Sequence, residues 1–144
     1  MSPLEFLFAL LALTAIAAGC QRYTAARRRK VLARLAGEWN MQFVAADRFN
    51  LAPRICGTLP FPGAAKVRVT DVIYQTESTR RRLMFTCEFG QGTVRSQSRR
   101  HCVAAFEESC GAETLEPTLL VAPDKLSLVE QYRWAKEKVG QDPE

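Results

Sequence analysis

Residues 6–20 read FLFALLALTAIAAGC, and residues 21–36 continue QRYTAARRRKVLARLA. The first stretch runs fifteen residues without a charged side chain. Leu4 and Glu5 before it and Gln21–Tyr23 after it bring the segment to twenty residues. A helix of that length spans about 30 Å, the thickness of a bilayer hydrocarbon core. The pattern predicts one transmembrane helix within residues 1–23. Ser2 is suited to cap its start, Pro3 to occupy its first turn, and Tyr23 to sit at the interface.

Three other readings compete. A core helix of a soluble domain needs a polar face at helical spacing, and none interrupts the run. A cleaved signal needs a basic leader, whereas residues 1–5 carry no Lys or Arg, although Ala15-Ile16-Ala17 offers small residues for cleavage. Ala17-Ala18-Gly19-Cys20 resembles a bacterial lipobox, with Cys20 as the lipidated residue, but Ala17 stands where that pattern prefers leucine.

The second stretch carries Arg22, Arg27, Arg28, Arg29, Lys30 and Arg34 and no acid. It has neither Gly nor Pro and is rich in Ala, Arg and Leu, so the helix should continue as a basic juxtamembrane segment over residues 24–36. Val31, Leu32 and Leu35 give it an apolar edge. The six cations are placed to touch anionic headgroups, each contributing about 1 kcal/mol near the surface. Membrane lipids are therefore the expected partner of these residues. Basic residues flanking a span stay on the cytoplasmic side. All six lie after it, so the expectation is a cell-membrane protein with its N-terminus outside and its C-terminal domain in the cytoplasm. Residues 37–144 hold 14 basic and 14 acidic side chains. The net charge of +5 thus resides in one short segment and not on a folded face, which points away from nucleic acid as a partner.

Residues 37–144 read as a soluble α+β domain. Gly37 should loosen the first helix, and Trp39, Met41 and Phe43 alternate as a strand. Residues 46–55 suggest a helical turn broken by Pro53, and Leu59–Gly63 a rigid connector. Val67–Tyr74 alternates, with Val67, Val69 and Ile73 sharing one side. Arg80-Arg81-Arg82 suggests a solvated turn. Leu83, Phe85, Cys87 and Phe89 fall on one face, opposite Met84, Thr86 and Glu88. Gly90 and Gly92 allow a bend, and Thr93–Ser98 leads to a polar turn. Cys102, Ala104 and Phe106 oppose His101, Val103 and Ala105, and Thr118–Val121 makes a last strand. Leu126–Val139 is the clearest soluble helix: Ser127 and Glu130 form a capping box, Leu128, Val129, Tyr132, Ala135 and Val139 form an apolar stripe, and Gly140 ends it. The expected fold is an antiparallel sheet of four or five strands with this helix packed on it.

Catalytic, cofactor and metal signatures are not visible. Cys20, Cys56, Cys87, Cys102 and Cys110 form no CxxC, and His101 is the single histidine. Cys87 and Cys102 fall on apolar faces and are expected as buried thiols. His101 and Cys102 are strand neighbours whose side chains diverge. Arg80–Arg82 and Arg99-Arg100 are candidate contacts for an acidic partner, or charged guards on a strand edge. Gly90-Gln91-Gly92 lacks the third glycine and following helix of a nucleotide loop. The layout resembles that of small single-span bacterial membrane proteins, which implies no activity. The expectation is a non-enzymatic binding, scaffold or accessory module with a protein partner. The competing readings are a lipoprotein-anchored periplasmic domain and an enzyme whose site has no recognisable motif.

Overall fold

A computed structural model describes residues 2–56, 65–77, 79–91, 98–109 and 118–140. Its first element, α1 (Pro3–Glu38), is a single helix of 36 residues. At about 1.5 Å per residue it is roughly 54 Å long. Ser2 caps it, and Glu5 completes a capping box: the Ser2 hydroxyl accepts from the Glu5 amide, and a Glu5 carboxylate oxygen accepts from the Ser2 amide. The single acid of the apolar run thereby neutralises the helix's positive end. Contrary to expectation, Gly37 does not end the helix. The stop is Asn40, in the left-handed region at φ 55°, with Met41 donating to the Ala36 carbonyl and Asn40 to that of Gly37. This is a Schellman closure, and asparagine tolerates the left-handed position it requires.

Five strands follow as a meander: β1 (Gln42–Ala46), β2 (Ala65–Thr76), β3 (Arg80–Gln91), β4 (Ser98–Ser109) and β5 (Thr118–Val121), in the order β1-β2-β3-β4-β5, all antiparallel. Among the described residues, two further helices complete the fold. The short α2 (Leu51–Ile55) lies between β1 and β2, and α3 (Leu128–Gly140) follows β5. The α+β arrangement and the terminal helix on the sheet agree with the sequence reading. Trp39 differs from it: it caps α1, and β1 begins at Gln42. The proposed connector 59–63, most of the 93–98 turn, Gly92, Cys110 and the Val139 side chain lie outside the described residues.

The sheet is buried on both sides. One face carries Ile73, Met84, Val103 and Ala105, covered by Tyr132 and Ala135 of α3 and by Leu32, Leu35 and Ala36 at the end of α1. The other carries Val69, Val72, Leu83, Phe85, Cys87, Phe89, Cys102, Ala104 and Phe106, with Leu51 and Ile55 of α2. The alternation in β3 and β4 is as expected. In β2 it is not: Ile73 lies on the face opposite Val67 and Val69. The register shifts between Thr70 and Ile73, and Asp71 there adopts φ 55°. One extra residue reverses the side of everything after it. Arg80–Arg82 are also not a turn. They open β3 and pair with Glu107, Glu108 and Glu77. In α3 the expected capping box is half made, with the Ser127 amide donating to Glu130.

Leu32 is fully buried between α1 and the sheet. In the full chain held in mild detergent, Leu32→Ala should lower the unfolding free energy by about 2–5 kcal/mol through the cavity it leaves. Leu13→Ala, in the exposed apolar run, should change it by less than about 0.5 kcal/mol. Urea titration followed by tryptophan fluorescence measures both, and equal effects would mean that α1 does not pack on the sheet.

Candidate membrane-proximal site

Among the described residues, the amino-terminal half of α1 lies open, with no other element over it. Leu4, Phe6, Leu7, Phe8, Leu10, Leu11, Leu13 and Ile16 are all at least half exposed. A folded domain in water rarely leaves so large a continuous apolar surface open. The helix is long and apolar enough to cross a membrane, and no residue of its most apolar 18-residue window is buried. Thr14, the one hydroxyl in the uncharged run, donates to the carbonyls of Leu10 and Leu11 at 3.1 and 2.8 Å. A polar group satisfied within its own helix costs little in an apolar medium.

Beyond this run the basic residues divide. Arg22, Arg27, Arg29, Lys30 and Arg34 are exposed and, among the described residues, pair with no acid. Arg28 differs: its Nη2 lies 2.9 Å from Oδ2 of Asp71, and the Asp71 side chain is almost fully buried. The Asp71 main chain joins a second partner. The Tyr132 hydroxyl donates to the Asp71 carbonyl at 2.7 Å and, at 2.8 Å from the Thr86 hydroxyl, accepts from it. Burial pushes the Tyr132 hydroxyl pKa up, so it stays a neutral donor. Four elements, α1, β2, β3 and α3, thus meet around one bulged residue. The sequence held a signal for it: alternation puts Asp71 in phase with Val69, and an acid on an apolar face calls for a bulge or a buried cation.

This meeting point orients α3. Tyr132 lies beside Arg28's partner, while the Lys136 ammonium lies 5.4 Å from the Trp39 ring at the far end of α1. The two helices therefore run parallel, with the amino terminus of α3 toward the apolar half of α1. Between them is a groove of about 240 Å³, lined by Thr24, Arg27, Arg28, Val31, Leu32, Leu128 and Val129 and almost wholly apolar in its walls. A second hollow of about 410 Å³, more polar, lies on the other side of α1 beside Arg29, Asp47, Arg68 and Thr70.

Elsewhere the expected groups are apart or occupied. Cys20 is exposed on α1, and Cys56 is exposed after α2. Cys87 and Cys102 face each other across β3 and β4 as buried free thiols. The hydrogen bond to Cys102, reinforced by burial, pushes the Cys87 thiol up; the same bond lowers Cys102 against the effect of burial. His101 points to solvent, with Nδ1 3.4 Å from Glu88, and so is turned away from Cys102. Arg100 pairs with Asp124. Among the described residues no three His, Cys, Asp or Glu side chains gather as a metal set. Comparison with protein-family models, curated proteins and solved structures finds no match for the chain.

Two measurements check this description. Arg28→Met leaves the Asp71 carboxylate buried without its cation, and should cost about 2–3 kcal/mol. That is below the 3–5 kcal/mol of a fully enclosed pair, because Arg28 retains access to water. Arg27→Met, one residue away, should change stability by less than about 0.5 kcal/mol. Thiol mapping by alkylation and mass spectrometry should modify Cys56 in the folded chain and leave Cys87 and Cys102 protected until it unfolds. Rapid labelling of Cys102 without unfolding would contradict its burial.

Proposed function

We propose that this chain is a single-pass membrane protein. Its span lies within residues 4–23, its N-terminus faces outward, and its α+β domain stands in the cytoplasm as a binding or scaffold module, an accessory subunit of a larger assembly. The observation that carries the reading is the two-part surface of α1. Among the described residues, one helix offers an apolar half left uncovered, then five cations that pair with no acid. A bilayer meets both needs at once, with hydrocarbon for the first and anionic headgroups for the second. The asymmetry of those cations favours the cytoplasmic side for the domain. A binding role is our reading of the domain, in which the polar groups that meet at Asp71 hold elements together: Arg28 pairs with its carboxylate, and Tyr132 bonds its carbonyl and Thr86.

Protease added to intact cells should leave residues 37–144 uncut, and should digest them once the membrane is opened. Digestion from outside would overturn the orientation. Labelled fatty acid incorporated by the chain and lost in Cys20→Ser would replace the spanning anchor with a lipid anchor on Cys20.

A further inference from the structure

We propose that the groove between α1 and α3 is a seat for one anionic phospholipid, with its phosphate on Arg27 and its glycerol end and first methylenes against Val31, Leu32, Leu128 and Val129. The inference rests on the anchored reading above and adds a specific ligand site to it.

Position supports it first. Thr24 follows Tyr23 directly, and Arg27 and Arg28 lie four and five residues beyond Tyr23, about 6–8 Å along the axis. The headgroup layer adds roughly 5–7 Å to each side of the hydrocarbon core. With Tyr23 at the edge of the span, the arginine end of the groove lies at the depth of lipid phosphates.

Charge supports it next. Arg27 lines the groove and has no acid of its own, whereas Arg28 beside it is engaged by Asp71. The first residues of α3 form the opposite wall, so the positive end of that helix dipole adds to the guanidinium. Among the described residues the groove has two cations at its rim, Arg27 and Arg28, and one acid, Asp71, beside them.

Size and chemistry select the class of ligand. The volume of about 240 Å³ is below the roughly 300–1,000 Å³ of a pocket that encloses a small molecule. Its occupant must therefore leave most of itself outside, as a lipid rooted in the bilayer does. Free phosphate would use the guanidinium but leave the apolar walls wet. A zwitterionic lipid would use the walls but carry a cation toward the arginines. An anionic phospholipid satisfies both.

The test uses the full chain, extracted in mild detergent and offered equal amounts of dioleoyl phosphatidylglycerol and dioleoyl phosphatidylcholine, with bound lipid read by native mass spectrometry. One phosphatidylglycerol should be retained in preference. Arg27→Gln should weaken its retention at least about tenfold, the loss expected for a charge-assisted contact. Val129→Trp should do the same by filling the groove. Arg22→Gln and Arg34→Gln, which remove the same charge elsewhere on α1, should leave it unchanged. Equal losses in Arg22→Gln and Arg27→Gln would overturn the seat in favour of diffuse attraction. So would retention by a folded Val129→Trp, equal retention of phosphatidylcholine, or equally tight binding of glycerol phosphate alone. A chain that sediments with membranes yet holds no lipid overturns the seat only. A chain found in the soluble fraction overturns the anchored reading itself.

Discussion

The Asp71 carboxylate is buried at a bulge in the second strand, and a buried carboxylate cannot stand alone. Its cation comes from Arg28, about one and a half turns past Tyr23 on the long helix. The backbone of the same residue accepts from Tyr132, which fixes the terminal helix. An uncompensated buried charge costs several kcal/mol, a large part of a domain's net stability of about 5–15 kcal/mol. The ion pair therefore does more than add attraction. It also favours the one placement of the long helix on the sheet that brings Arg28 to the acid. The left-handed backbone of Asp71 costs about 1–2 kcal/mol on its own, and its two partners, Arg28 and Tyr132, hold that conformation in place.

The bulge also decides which face each aliphatic residue in the second half of β2 joins. Without the extra residue, Val67, Val69, Asp71 and Ile73 would share one side, and Val72 would be on the other. With it, Val72 joins the α2 face and Ile73 joins the face under α1 and α3. The bulge thus exchanges the two aliphatic groups, putting Ile73 under α1 and α3 and Val72 against α2. Leu32, Leu35 and Ala36 then dock beside Ile73, so the helix that carries the exposed apolar run is part of the domain's own core. The run and the sheet are joined by continuous helix, with no flexible link between Pro3 and Glu38.

Much of this was legible in the sequence, for reasons of period. The fifteen uncharged residues, the alternation of β3 and β4 and the stripe of α3 each repeat one signal over many positions, and the elements formed where the pattern lay. The misreadings came from single residues. Gly37 was expected to loosen a helix that Asn40 stops, because a Schellman closure is set by backbone geometry and by which residue accepts a positive φ. Arg80–Arg82 were expected in a turn, because three adjacent cations suggest water; their partners Glu107 and Glu108 are distant in sequence and adjacent only through strand register. Asp71 was passed over as part of an alternating strand. The six basic residues of α1 were read as one group, and no local pattern distinguishes Arg28, whose partner lies in another element. The groove depends on the docking angle of two helices far apart in the chain, which no periodicity encodes.

That division among the basic residues bears on what the helix can do. Cations of the sheet, such as Arg80, Arg81 and Arg100, are matched with acids inside the fold. On α1, among the described residues, Arg28 alone is matched, and it faces the sheet. The unmatched five cost the fold little while they stay in water, since exposed cations are well hydrated and screened over about 8 Å at physiological salt. They repel one another along one helix, however, and no acid among the described residues relieves this. An anionic surface would relieve it for all five together, and the relief would grow with each residue brought near. Because α1 is continuous and locked to the sheet through Leu32, Leu35 and Arg28, such an attraction could not act on the helix alone. It would set the height and tilt of the whole domain over the surface, with the amino end of α3 turned toward it. Anchoring and orientation would then be two consequences of the same docked helix.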